Sequence, residues 1–368
     1  VYMRVLGLTV FISGIKNVQQ AYVSRHMLFK KFFFSTLGGT LIAGIVGVVM
    51  AYTGYGVWAL IVQQVVNLAI DTTILWFTVR WRPLFVFSLE RLKILFSFGW
   101  KLLASSLLDS IYTNIRQLLI GRIYTANELA QYNKGQQFPE LIIRNINVSI
   151  DSVLLPAMSD VQDKAEKVKT MTRRSITVSV YVMAPLMMGL AFCGHSIVGL
   201  ILSNQWLPCV FYMQIFCITY MFWPIHTANL NAIKAMGRSD LFLKLEIEKK
   251  IIGVIVLGLT AFVSVKAMAY SLLFTSITSQ IINAAPNKKL LNYGYTEQLK
   301  DILPAILLAI SMGIVIYPIQ FVGLSYLVTL LIQIPLGALV YILGSRLLHL
   351  DSFEYLLQII RPYIKKKK

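Results

Sequence analysis

Ile302-Leu303-Pro304-Ala305-Ile306-Leu307-Leu308-Ala309-Ile310-Ser311-Met312-Gly313-Ile314-Val315-Ile316-Tyr317-Pro318-Ile319 contains no charged side chain. A helix needs about 20 predominantly apolar residues to cross a bilayer, so this stretch reads as one membrane span. Residues 322–344 read as the next. Working back through the chain, comparable stretches lie near 3–22, 34–53, 56–78, 95–120, 130–157, 175–202, 209–233, 249–265 and 267–285. The fold class expected is therefore all-α, a polytopic transmembrane bundle of about eleven helices. Composition agrees, with 57% hydrophobic and 14% charged residues and a mean hydropathy of +0.68. A water-soluble fold averages about 25% charged residues.

Threading the chain through these spans places alternate loops on opposite sides. One side collects Arg25, Lys30 and Lys31; Arg80, Arg82, Arg91, Lys93 and Lys101; Lys164, Lys167, Lys169, Arg173 and Arg174; Lys234, Arg238 and Lys244; Lys249 and Lys250; and Lys288, Lys289, Lys300, Arg346, Arg361 and Lys365 to Lys368. The other side holds little beyond Arg122, Lys134 and Lys266. The positive-inside rule makes the first side, and with it the C-terminus, cytoplasmic. The net charge of +18 is thus spread over juxtamembrane loops, which excludes the single basic face of a nucleic-acid-binding domain. Cys193, Cys209 and Cys217 lack metal-ligand spacing and read as apolar filler. No nucleophile motif, phosphate-binding glycine loop or metal cluster appears, so no cofactor is expected and an enzyme is disfavoured.

Connections outside the membrane are short. Ser159 to Arg174 and Asn287 to Asp301 read as amphipathic or solvated linkers. Residues 351–368 alternate Phe353, Leu356, Leu357, Ile360 and Ile364 with polar side chains and end in four lysines, the pattern of an interfacial helix held at anionic lipid. The segment Ser24-Arg25-His26-Met27-Leu28-Phe29-Lys30-Lys31 matches Gly237-Arg238-Ser239-Asp240-Leu241-Phe242-Leu243-Lys244 in Arg, Leu, Phe and Lys at one offset, which points to a parallel internal repeat. The expected organisation is the remainder of a first lobe at 1–80, an amphipathic cytoplasmic linker at 81–94, a six-helix lobe at 95–286, two further spans at 302–344 and a basic tail at 351–368. On this reading about three helices of the first lobe would lie upstream of Val1.

Polar residues at membrane depth are site candidates, because they are costly unless they face a cavity or a partner. Asp109 and Arg116 are seven residues apart, as are Arg144 and Asp151, so each pair lies along one helix stripe. Asn114 and Gln117 accompany the first pair and Asn147 the second. Two readings stand side by side. Either Arg116 and Arg144 line a water-filled cavity and hold a diphosphate in their planar donor forks, or Arg116–Asp151 and Asp109–Arg144 are structural ion pairs. Asp109 and Asp151 are also candidates for ion coupling. His226, beside the helix-breaking Pro224, either titrates in a transport cycle or packs against a partner, and a kink is expected at Pro224. Gln63, Gln64, Asn67 and Asp71 line the same cavity or join helices by hydrogen bonds. Gly54-Tyr55-Gly56 reads as a tight turn.

Gly54-Tyr55-Gly56-Val57-Trp58-Ala59-Leu60, Leu119-Ile120-Gly121, Tyr132-Asn133-Lys134-Gly135-Gln136-Gln137-Phe138-Pro139, Pro156-Ala157-Met158-Ser159 and Asn229-Leu230-Asn231-Ala232-Ile233-Lys234-Ala235-Met236-Gly237-Arg238-Ser239-Asp240 together resemble the bacterial polysaccharide flippases of the lipopolysaccharide or O-antigen type. These are part of the multidrug/oligosaccharidyl-lipid/polysaccharide exporter superfamily. The resemblance implies a MATE-like two-lobe architecture around a central cavity, here with an incomplete first lobe, and two added C-terminal helices. It implies alternating access that carries a polyprenyl-diphosphate-linked oligosaccharide to the outer leaflet of a bacterial inner membrane. By position it makes Arg116 and Arg144 the cavity residues, with Asn114 and Asn147 beside them. Expected partners are the lipid-linked oligosaccharide, membrane lipids, a polysaccharide polymerase and glycosyltransferases. A cation-coupled multidrug exporter of the same fold is the alternative, and a polysaccharide polymerase or ligase a third reading disfavoured by the short outer loops.

Overall fold

The structure, a computed structural model, describes residues 2–25, 29–79, 82 and 88–365. Among the described residues every regular element is helical. α1 (Tyr2–Arg25), α2 (Phe29–Tyr52) and α3 (Val57–Thr78) form one unit that extends to Gly99. α4 (Leu89–Ile123) passes into the second unit, Trp100–Lys368, which contains α5 (Ala126–Ser159), α6 (Ala165–Phe192), α7 (Gly194–Leu202), α8 (Cys209–Met221), α9 (Trp223–Ala235), α10 (Ser239–Ala261), α11 (Val265–Leu291), α12 (Tyr295–Ile316), α13 (Tyr326–Leu347) and α14 (Asp351–Lys365).

Each of the eleven apolar stretches is occupied by helix. Lys30–Tyr52, Val57–Thr78, Ala165–Phe192, Cys209–Ala235, Tyr295–Phe321 and Tyr326–Leu347 are individually long and apolar enough to cross a bilayer. The other stretches carry more polar side chains along comparable helices, which is the mark of spans that face one another or a cavity. The chain is a multi-pass helical membrane protein.

Two expectations change. The stretch 175–202 is not one rod: α6 ends at Phe192 and α7 begins at Gly194. Asn287 to Asp301 is not a solvated linker, because α11 continues to Leu291 and α12 starts at Tyr295. Asn287 is fully buried, hydrogen bonded through Nδ2 to Asn229 Oδ1 at 2.7 Å, while Gln298 Nε2 reaches the same oxygen at 2.8 Å. The amphipathic linker proposed for 81–94 is already helical from Leu89 onward; residues 80–81 and 83–87 lie outside the described residues. The break near Pro224 is where the sequence places it, with α8 ending at Met221 and Pro224 in the first turn of α9, a position that tolerates its missing N–H. Gly54 and Gly56 form the expected turn with φ of 84° and 53°, angles that favour glycine. The first copy of the Arg-Leu-Phe-Lys repeat falls largely outside the described residues.

The second unit carries a continuous core of Met183, Met187, Met213, Met221, Ile225 and Met268 from α6, α8, α9 and α11. Cys193, Cys209 and Cys217 are buried free thiols. α5 lies unusually close to α8 at Gly135, where an added Cβ would sit 2.8 Å from both the Cys209 carbonyl and the Met213 amide nitrogen. In the first unit, Lys16 of α1 and Asp71 of α3 form a buried ion pair of 2.6 Å.

Candidate functional site

α4 and α5 are joined by only Tyr124 and Thr125, with Thr125 and Glu128 forming a capping box at the start of α5. The two helices therefore run back antiparallel, and distance along each from this turn sets which side chains can meet. At 1.5 Å per residue, Arg116 lies roughly 12 Å back along α4, whereas Arg144 and Asp151 lie roughly 28 and 39 Å along α5. Register thus separates Arg116 from Asp151, and the ion pair between them is withdrawn. Gln117 and Gln136 are at similar depth and bond to each other at 3.1 Å. The side chains of Asp109 and Asp151 lie outside the described residues.

Arg116 and Arg144 line two cavities, not one. The first, of about 450 Å³, is enclosed by α4, α5, α8, α9, α10 and α11. Arg116 Nη1 donates to the Met268 carbonyl and, at 2.7 Å, to Ser271 Oγ, both on α11. Neither Nε nor Nη2 has a protein partner among the described residues, so part of the donor fork remains for an anion. Lys249 and Lys250 of α10 line the same space, with Glu246 bonded to Lys249 at 2.6 Å. Lys250 stands over the Tyr112 ring, whose hydroxyl rests against Gly253. The cations exceed the single carboxylate, and the cavity is electropositive. His226 also lines it and shares a 3.0 Å hydrogen bond with Asn283 through Nδ1.

The second cavity, of about 410 Å³, holds Arg144 with Glu140, Lys134, Gln137 and Trp206. Gln117 and Gln136 belong to both linings, and Gln136 Nε2 continues to the Tyr220 hydroxyl at 3.1 Å. A strand of neutral hydrogen bonds is therefore what separates the two cationic spaces. Asn147 accepts a 2.6 Å bond from Thr227 Oγ1, tying α5 to α9. Asn114 donates to the Ser110 carbonyl of its own helix at 2.8 Å and lines neither cavity. In sequence, Lys249 and Lys250 read only as loop charges and Glu246 is not singled out. Nothing in their spacing signals that α10 turns them inward.

Comparison with known proteins adds the missing context. The sequence pattern of the family described as polysaccharide biosynthesis protein matches residues 1–211. The chain belongs to this family. Among its relatives is the teichuronic acid biosynthesis protein TuaB of Bacillus subtilis, 23% identical over 358 residues, which cover 92% of this chain and 72% of TuaB. The lipopolysaccharide biosynthesis protein WzxC of Escherichia coli is 24% identical over 272 residues, 70% of this chain and 54% of WzxC. The succinoglycan biosynthesis transport protein ExoT of Rhizobium meliloti is 22% identical over 204 residues, covering 55% and 41%. This family member thus spans about half the length of two of these relatives. Its fold is that of the lipid II flippase MurJ in an inward closed conformation, with a TM-score of 0.77, 15% identity and coverage of 95% of this chain and 74% of MurJ.

Proposed function

We propose that this protein is a flippase that moves a polyprenyl-diphosphate-linked oligosaccharide across a bacterial inner membrane during surface polysaccharide synthesis, with its C-terminus cytoplasmic and without covalent chemistry. The observation that carries the reading is the pair of neighbouring cationic cavities in the second unit, which share Gln117 and Gln136. Membership of the polysaccharide biosynthesis family and the MurJ-like fold support it. Relatives named for lipopolysaccharide biosynthesis and for succinoglycan transport point to the same substrate class. An electropositive interior suits a diphosphate and repels the cationic compounds that a multidrug exporter would carry.

Arg144 and Arg116 lie roughly 16 Å apart along the helices by the 1.5 Å rise, too far for one diphosphate to engage both. They act as successive stations: Arg144, nearer the cytoplasmic end of α5, receives the diphosphate, and Arg116 takes it nearer the outer end. Passage between them requires the Gln117–Gln136–Tyr220 strand to open, which exchanges neutral hydrogen bonds and strands no charge.

The test is transfer of a fluorescent polyprenyl-diphosphate oligosaccharide across proteoliposomes. Arg144→Glu is expected to abolish transfer by placing a carboxylate at the first station. Arg116→Lys, which keeps the charge but loses the fork, is expected to slow it roughly tenfold. Normal transfer by Arg144→Glu, with the protein folded and inserted, would overturn the site assignment.

A further inference from the structure

A third cavity, of about 550 Å³, lies where α6 and α12 begin and α13 gives way to α14. Its charged lining is Arg173 and Arg174 of α6, Lys300 and Asp301 of α12, His349 of the α13–α14 junction and Asp351 of α14. Asp301 is fully engaged: Oδ1 takes Arg173 at 2.6 Å and Oδ2 takes the Tyr293 hydroxyl at 2.8 Å. Asp351 sits in the first turn of α14, where a carboxylate is favoured by the helix dipole. Arg174 lies over the Tyr355 ring at 4.3 Å, a contact made by its face that leaves all five N–H donors available. Lys300 has no ion-pair partner among the described residues. Two cations are thus left without a committed counter-charge at the edge of the bundle.

α14 is docked over this space. Leu350, Phe353 and Leu356 pack on the main core, and Phe353 approaches the Tyr181 ring at 6.5 Å. The remaining length of α14 continues from that anchor as a strongly amphipathic helix, the form that lies along a bilayer surface. The cavity therefore opens at the level where lipid headgroups lie.

We propose that this cavity binds the phosphate of an anionic phospholipid through Arg174 and Lys300, so that the lipid joins α6, α12 and α14 at the membrane face. Basic pockets between helices at the cytoplasmic interface suit such headgroups, and the volume is ample for one. The site is separate from the Arg116 and Arg144 cavities and does not depend on the transported substrate.

Native mass spectrometry of the purified, delipidated chain tests it, with added phosphatidylglycerol, phosphatidylcholine or inorganic phosphate. One phosphatidylglycerol is expected to remain bound, with phosphatidylcholine lost. Arg174→Gln with Lys300→Gln should weaken its retention roughly tenfold or more, given the contribution of each surface cation. Lys266→Gln, on α11, should change nothing. If the double variant melts early, Lys300→Gln alone, which breaks no bond among the described residues, is used and should weaken retention severalfold. Equal retention by wild type and a folded variant overturns the proposal, as does equal retention of phosphatidylcholine. Saturable binding of inorganic phosphate that excludes phosphatidylglycerol overturns the lipid as occupant.

Discussion

The first three helices and the last eleven solve the same problem differently. In the unit up to Gly99, the spans of α2 and α3 each bury only 22% of their apolar window, whereas in the second unit the share runs from 22% for Tyr326–Leu347 to 61% for Cys209–Ala235. The small unit has a slight apolar cluster of Val23, Leu75 and Val79 and is tied across α1 and α3 by Lys16–Asp71. The large one is held by a continuous sheet of methionine, aromatic and alanine contacts. Hydropathy does not explain the contrast, because both spans of the first unit are more apolar than Cys209–Ala235. What differs is the number of neighbours within each unit: three helices cannot surround any one of them. In such a unit a polar pair contributes specificity that packing does not supply.

The largest expected effect breaks that comparison at its polar end. Asp71→Ala leaves the Lys16 ammonium buried without its partner and is expected to destabilise the first unit by about 3–5 kcal/mol. Replacing both by leucine should recover most of this, since a buried pair is rarely better than well-packed apolar groups. Loss of labelling protection at cysteines introduced in α2 would measure both. If Asp71→Ala leaves protection intact, packing rather than the ion pair holds this unit.

The second unit should fail through packing instead. Gly135→Val pushes a side chain into the backbone of α8, which cannot move aside as a flexible side chain would, and is expected to cost about 1–3 kcal/mol. A lowered melting temperature in detergent, with no change in cysteine protection of the first unit, is the expected result. A smaller effect of opposite sign is expected at His349, which adopts φ 47° at the end of α13. There the Leu350 amide returns to the Ser345 carbonyl at 3.1 Å, a helix ending that prefers glycine. His349→Gly should stabilise the second unit by about 1 kcal/mol.

The smallest effect lies on the surface of the same unit. Arg238 holds the Asp240 carboxyl down at about 2 by a two-bonded ion pair of 3.0 and 2.8 Å. A depressed carboxyl pKa adds stability that is present above its unfolded value and lost as pH falls toward 2. Both groups are fully exposed, so solvent screens the pair, and Arg238→Ala should leave the melting temperature unchanged from pH 7 to pH 4. A measurable loss would show that this turn is buried against something in the membrane-inserted protein.

Much of this was legible from residue order. The positions of the spans, the break beside Pro224, the Gly54–Gly56 turn and the amphipathic α14 all follow from local rules of hydropathy, proline and glycine. The candidate cations Arg116 and Arg144 were visible because charge within an apolar stretch has no local explanation. Their relation was not visible. Spacing of seven placed each on a stripe, but only the short α4–α5 turn sets the register that puts them at different depths and parts Arg116 from Asp151. Lys16 with Asp71, and Asn229 with Asn287 and Gln298, are equally hidden, because each joins residues more than fifty positions apart.

Sequence alone therefore determined that this chain enters the membrane as helices, since burying a peptide backbone in lipid without internal hydrogen bonds is prohibitive and hydropathy reports that constraint directly. Tertiary structure decided which polar side chains share a cavity and which helices face lipid. Apolar side chains are equally at ease against lipid or protein, so the choice between them is made by packing and register, to which hydropathy is blind.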